Sequence, residues 1–140
     1  MILIDTNVVI DARDSSQSNH AWAIRQLEQA VAGEGGGINV VTLAELCAGT
    51  PSPAEVEPEI RKLGLAILDL PAAAAVICGT AYRRYVAARR ASGGGTAPKI
   101  PLPDFFIGAH AEIMDWKLAT RDAERIARYF PKVSLLMPKK

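Results

Sequence analysis

Short apolar runs alternate with segments of helical periodicity along the whole chain. Residues 2–4 (ILI) form an apolar, β-branched run that predicts a buried strand. Similar runs predict four more strands, at residues 38–41, 65–70, 117–120 and 133–137. Between the strands, apolar residues recur at helical spacing and predict helices at residues 20–31, 42–48, 54–62, 71–90, 104–114 and 121–129.

This alternation of strands and helices predicts an α/β fold. Strands joined by helices pair in parallel, and continuously apolar strands fit a sheet that is covered on both faces. We therefore expect a single domain over residues 1–140, a three-layer α/β/α fold with a central parallel sheet of about five strands. Residues 33–37 (GEGGG) predict a flexible turn, and the Gly/Pro-rich segment 93–103 predicts a loop that borders the candidate site.

Composition and charge narrow the possible functions. An apolar fraction of 49% supports a packed core, and the formal net charge of +1 excludes a protein that is basic overall. Any nucleic acid must therefore bind to a local patch or through bound cations. Cys47 and Cys78 fall in predicted helices and suit buried, reduced thiols. Without a basic, apolar leader or an apolar run of roughly 20 residues, we expect a cytoplasmic protein with no membrane span.

Four acidic residues occupy equivalent positions in this predicted architecture. Asp5 follows the first strand, Glu45 begins the helix after the second, Asp104 opens a later helix, and Asp122 follows the strand at 117–120. Because strand C-termini and helix N-termini share one edge of a parallel sheet, these carboxylates should converge there. Clustered like charges are unfavourable unless a cation neutralises them.

Each acid also has a purely structural interpretation. Thr42 and Glu45 fit a capping box, with Thr42 as the N-cap. Asp104 fits an N-cap, Asp122 fits the positive end of a helix dipole, and Asp5 fits a turn or cap. As a group, however, carboxylates without nearby His or Cys suit Mg²⁺ or Mn²⁺ rather than Zn²⁺. Such ions bind phosphate and can promote phosphodiester cleavage.

Four segments together resemble the PIN domain family. They are residues 4–11 (IDTNVVID), 42–46 (TLAEL), 104–111 (DFFIGAHA) and 118–122 (LATRD), in the family's order along the chain. The compact length and the TRD segment followed by YFP at residues 129–131 resemble VapC-type toxins in particular.

This resemblance implies a Mg²⁺- or Mn²⁺-dependent endoribonuclease, neutralised by a cognate antitoxin and inclined to form a homodimer. It implies that the metal ligands, direct or through water, are Asp5, Glu45, Asp104 and Asp122. Thr6 and Thr120 would support these acids or a phosphate. Asn7 would orient a ligand or cap the first helix, and we favour the cap.

Other polar residues receive lesser roles. Arg83 and Arg84 lie in the densest basic cluster, which suits either a solvated helix face or an RNA-backbone contact, and Arg13 is a similar candidate. Asp11 and Asp14 suit solvated or capping positions. His110 falls about 120° around the helix from Asp104, so we expect it to be packed rather than ligating.

Two alternatives to a toxin nuclease remain open. A housekeeping PIN-domain nuclease for RNA processing or decay would have the same fold and the same site. A non-enzymatic, receiver-like signalling domain would also have an acidic pocket, but it needs an adjacent acidic pair after the first strand. Here Asp5 is followed by Thr6 and Asn7.

Overall fold

The computed structural model describes residues 1–93 and 99–139 and contains a five-stranded, fully parallel sheet with the strand order β3-β2-β1-β4-β5. The strands are β1 (Ile2–Ile4), β2 (Gly36–Asn39), β3 (Ala66–Leu68), β4 (Lys117–Ala119) and β5 (Leu135–Leu136). The helices are α1 (Thr6–Arg13), α2 (His20–Ala32), α3 (Val40–Ala48), α4 (Val56–Lys62, after a 3-10 turn at Pro53–Glu55), α5 (Ala74–Ala91), α6 (Leu102–Met114) and α7 (Ala123–Tyr129).

Two hydrophobic clusters pack against the two faces of the sheet and confirm the predicted three-layer fold. In β1, Ile2 and Ile4 point into one cluster while Leu3 points into the other, as the alternation of side chains along a strand requires. The first cluster holds apolar residues of α1 to α4, and the second holds those of α5, α6 and α7. Every residue of β1 is buried, which agrees with its uninterrupted apolar sequence.

The second strand and the helix after it begin two residues earlier than predicted. Asn39, not Thr42, is the N-cap of α3, because its side-chain oxygen accepts the N–H groups of Val41 and Thr42. The predicted capping box of Thr42 and Glu45 is therefore wrong. Val40 and Val41 extend the apolar run and mimic a strand, but the cap turns the backbone into a helix before them.

The prediction of a flexible turn at residues 33–37 is wrong for its last two glycines. Gly36 and Gly37 belong to β2 and pair with β1. A Cβ atom on Gly37 would lie 2.9 Å from a methyl carbon of Leu68 and 3.0 Å from the Ala66 carbonyl oxygen. The close approach of β3 therefore requires glycine at this position.

Several smaller expectations can also be compared with the structure. Cys78 is buried as predicted, whereas Cys47 is partly exposed, and both are free thiols. The predicted loop at 93–103 includes residues 94–98, which lie outside the described residues. Within the two described ranges, no helix is long and apolar enough to cross a bilayer.

Candidate functional site

The four predicted acids line a single cavity of about 210 Å³ at the C-terminal edge of the sheet. The cavity lies where β1 and β4 end side by side. From β1 the chain continues to β2 on one side, and from β4 it continues to β5 on the other. Such a reversal of strand order opens a crevice where open α/β sheets bind ligands. The remaining lining residues are Thr6, Asn7, Ile10, Ile107 and Arg125.

Asp5 is the most buried of the four acids and is the N-cap of α1. Its Oδ1 accepts the backbone N–H of Thr6 at 2.7 Å, so Asp5 and not Asn7 caps this helix. Its Oδ2 accepts the Asn7 side-chain amide at 3.0 Å and the Thr120 hydroxyl at 2.7 Å. Burial raises the pKa of Asp5, although the hydrogen bonds from Thr120 and Thr6 oppose this shift. The carboxylate is thus held in one orientation in a poorly solvated position.

Glu45 reaches the cavity from the second turn of α3. The Thr6 hydroxyl lies 2.9 Å from Glu45 Oε1 and 3.0 Å from the Thr42 hydroxyl. Burial raises the pKa of Glu45, the Thr6 hydrogen bond opposes the rise, and the charges of Asp104 and Asp5 add to it. The negative charge of Glu45 is thus repelled by two acids that lie 40 or more residues away in the sequence.

Asp104 and Asp122 complete the acidic lining from α6 and α7. Asp104 is the third residue of α6, which begins at Leu102, so it is not the N-cap that the sequence suggested. Burial raises the pKa of Asp104, while the positive charge of Arg125 lowers it. Asp122 is exposed at the N-cap of α7, and its Oδ2 lies 3.0 Å from a guanidinium nitrogen of Arg125.

Two predicted supporting residues connect β4 to the start of the chain. The buried Thr120 hydroxyl donates to Asp5 and accepts the backbone N–H of Asp122 at 2.9 Å. Asn7 donates to Asp5 and accepts the backbone N–H of Arg121 at 3.3 Å. The segment 120–122 is therefore fixed against α1 through both side chains, which places Asp122 beside Asp5.

Sequence reasoning missed Arg125 and misplaced Asp11. Arg125 lines the acidic cavity, but nothing in its local sequence distinguishes it from other arginines. Asp11 was expected to be solvated or to cap a helix, yet it is buried, and its Oδ2 lies 2.9 Å from Nε of Arg121. Asn7 and Asp11 lie one turn apart on α1, and this spacing is the sequence signal that they share a face of the helix. Asp14, which was expected to be solvated or capping, is the C-cap residue of α1, and its side chain accepts hydrogen bonds from Ser16.

The three arginines proposed as RNA contacts lie outside the lining of the cavity. Arg13 pairs with Glu59 at 2.8 Å and borders an adjoining groove that Glu45 also lines. Arg84 lies against the ring of Tyr129, and Arg83 is exposed on the same helix. Their proposed role stays a prediction.

The chemistry of the lining suits a hard divalent cation, although the acids are not gathered into a ready-made ligand cluster. All four candidate donors are carboxylates, the ligands that Mg²⁺ and Mn²⁺ prefer. Among residues 1–93 and 99–139, no three His, Cys, Asp or Glu side chains already form a metal-ligating group. His110 is buried against Asn39 and Trp116, as expected for a packed histidine. Binding a metal ion at this site would therefore require the carboxylates to move toward the ion.

Solved structures with the same fold come from several bacteria. One is VapBC2 from Rickettsia felis bound to a promoter DNA fragment. The structural alignment covers 99% of this chain and 100% of the VapBC2 chain, with a TM-score of 0.66 and 21% identity. For FitAcB from Neisseria gonorrhoeae the coverages are 97% and 96%, with a TM-score of 0.65 and 25% identity. For a toxin–antitoxin complex from Klebsiella pneumoniae they are 100% and 99%, with a TM-score of 0.66 and 21% identity.

Sequence comparison identifies the family. A search of curated protein sequences gives no significant match. The PIN domain profile, however, matches residues 2–130 and so includes all four acids and Arg125. This match also argues against the receiver-like alternative. The chain belongs to the PIN domain family.

Proposed function

We propose that this protein is a Mg²⁺- or Mn²⁺-dependent endoribonuclease that acts as the toxin of a toxin–antitoxin pair. The observation that carries the proposal is the convergence of four carboxylates, from four separate elements, on one cavity at the switch point of the sheet. PIN domains are a family of nucleases, so the family assignment supports this chemistry.

The candidate metal ligands are Asp5, Glu45, Asp104 and Asp122. A bound Mg²⁺ or Mn²⁺ supplies the positive charge that activates a water molecule and stabilises the developing charge on a phosphate oxygen. The protein contributes orientation. Thr120 and Asn7 hold Asp5 in one rotamer, and Thr6 fixes the position of Glu45. Such supporting hydrogen bonds reduce the reorganisation needed when the ion and the substrate bind.

The proposed role as a toxin is supported by similar solved structures rather than by the acidic cavity. The similar structures include a toxin–antitoxin complex and chains of VapBC2 and FitAcB, matched over nearly their full lengths. We therefore propose a cognate antitoxin as the partner and RNA as the substrate. A homodimer is proposed from the family resemblance alone.

The nuclease proposal is tested with purified protein and a single-stranded RNA in Mg²⁺, Mn²⁺ or EDTA. We expect cleavage only with a divalent ion, and a loss on the order of 100-fold or more in Asp5→Asn and in Asp104→Asn. Asp115→Asn is the matched control, because Asp115 is an exposed acid in the left-handed conformation, which asparagine tolerates. Cleavage that persists in both folded site variants would reject the site assignment.

Induced expression separates a toxin from a housekeeping nuclease. Growth arrest that is relieved by co-expression of a small protein encoded next to this chain supports the toxin. Expression of the Asp5→Asn variant should not arrest growth. Harmless expression of a protein that cleaves RNA in vitro would favour the housekeeping role.

A further inference from the structure

Arg125 is the one basic residue, among those that the structure describes, in the lining of the acidic cavity. Its guanidinium lies 3.0 Å from Asp122 Oδ2, one turn earlier on α7. The Arg125 side chain is only 24% exposed, whereas that of Asp122 is 51% exposed. Arg125 is therefore turned inward over the carboxylates rather than outward into solvent.

The charge of Arg125 acts on more than its direct partner. It lines the same cavity as Asp5, Glu45 and Asp104, so its positive charge acts on their carboxylates as well. One guanidinium thus reduces the repulsion among carboxylates that come from four elements of the fold. Among the described residues that line the cavity, Arg125 supplies the positive charge that partly offsets this repulsion.

We infer that Arg125 is a built-in counter-cation of the acidic cavity, and that it competes with the divalent ion for the carboxylates. This inference rests on the proposed function, because it assumes that the four acids bind a metal. A divalent ion that takes Asp122 as a ligand lies close to the guanidinium, which is 3.0 Å from Oδ2 of the same carboxylate, and repulsion between the two positive charges weakens both contacts. Arg125 therefore sets how tightly the pocket holds metal and protects the metal-free fold.

A second groove beside the acidic cavity provides space for the guanidinium of Arg125 when it is displaced. Asp122 and Arg125 also line a second, larger groove of about 550 Å³ next to the acidic cavity. Arg125 stands on the boundary between the two, so rotation of its side chain toward the groove separates it from the metal site.

The experiment measures Mn²⁺ affinity by isothermal titration calorimetry on metal-stripped protein, without RNA. We expect Arg125→Gln to lower the Kd for Mn²⁺ by roughly three- to tenfold, because a competing charge is removed. Arg128→Gln is the matched control. It removes the same charge from the same helix, but Arg128 is exposed and lies against Tyr129. Arg125→Lys, which keeps the charge, should remain close to the unmodified protein.

The melting temperature gives a second measurement. It distinguishes a counter-cation of the cavity from an ordinary surface ion pair, whose contribution to stability would not depend on Mn²⁺. In EDTA, Arg125→Gln should melt below Arg128→Gln, and saturating Mn²⁺ should remove this difference. Equal or weaker Mn²⁺ binding by Arg125→Gln would overturn the inference and leave the proposed nuclease intact. If the unmodified protein binds no Mn²⁺ and cleaves RNA without metal, the proposed function itself fails.

Discussion

At the scale of single residues, the energetics of the acidic cavity are set by burial. Desolvation is the largest cause of the raised pKa of Asp5, Glu45 and Asp104. When a folded-state pKa is raised, the neutral acid favours the fold at low pH. That stability is lost as the pH rises from the ordinary value through the raised one. Without metal, the fold should therefore weaken as these acids ionise.

Asp104→Asn should stabilise the metal-free protein, because the amide keeps the size of the side chain and removes its charge. In EDTA, we expect the melting temperature of the unmodified protein to decline relative to that of the variant as the pH rises above 3.8, the ordinary pKa of an aspartate. The variant should fall less and melt about 1–3 °C higher at pH 8. Differential scanning fluorimetry across this range measures both curves.

Asp14→Asn is the control for this pH series. The pKa of Asp14 is lowered by hydrogen bonds from Ser16 and Gln17, the opposite direction from Asp104. The Asp14→Asn variant should therefore not melt higher than the unmodified protein at pH 8. Parallel pH curves for the unmodified protein and Asp104→Asn would contradict the assignment of a strained, partly buried carboxylate.

The sequence identified the four acids because each lies near the end of a strand or the start of a helix, and chain topology alone brings such positions together. Arg125 and Asp11 could not be assigned in this way. Their roles depend on how residues 120–125 lie against α1, which is determined by two side-chain hydrogen bonds and one ion pair between distant segments. Periodicity carries no information about such contacts.

At the scale of elements, strand and helix order was predictable, but α1 and the start of α3 were not. The sequence 6–13 (TNVVIDAR) contains three adjacent β-branched residues, a weak helix pattern. The helix nevertheless forms because Asp5 caps it and Val8, Val9 and Ala12 are buried in the first hydrophobic cluster. Tertiary packing outweighs local propensity here.

Replacing two helical glycines by alanine, one in α5 and one in α6, should change the free energy of unfolding in opposite directions. A Cβ on Gly108 of α6 would overlap the ring of Phe130, so Gly108→Ala must push that fully buried ring aside. We expect it to reduce the free energy of unfolding by about 1–3 kcal/mol. A Cβ on Gly79 of α5 meets no atom within 4 Å, so Gly79→Ala should increase it by up to about 1 kcal/mol. Chemical denaturation measures both.

The outcome of this pair tests how tightly α6 is packed against the segment after α7. Similar effects of the two substitutions would show that the Phe130 ring can move aside at little cost. Because α6 carries Asp104, loss of that packing should also shift the acid relative to the cavity.

At the scale of the whole molecule, the distribution of charge matters more than its sum. The formal net charge is only +1, and the proposed active site is lined by four acids. A phosphate chain therefore meets local repulsion and no compensating overall attraction. Under the proposed function, divalent ions would provide the attraction that the protein lacks.

RNA binding should consequently depend on the divalent ion. We expect an affinity at least roughly tenfold weaker in EDTA than in Mg²⁺ at matched ionic strength. Stopped-flow fluorescence anisotropy of a labelled RNA gives the affinity before cleavage proceeds. Tight binding in EDTA that declines steeply with NaCl would instead point to the arginines at positions 13, 83 and 84 as the main contact.

The hydrogen bond between Thr120 and Asp5 joins residues that are 115 positions apart in the chain. During synthesis, Asp5, Glu45 and Asp104 are made before Thr120, Asp122 and Arg125. A nascent chain that stops before β4 thus has three of the acids, but it lacks the Thr120 hydroxyl that holds Asp5 and the ion pair between Asp122 and Arg125. Synthesis must proceed past β4 and into α7 before the cavity can form, so shorter translation products have no complete acidic site.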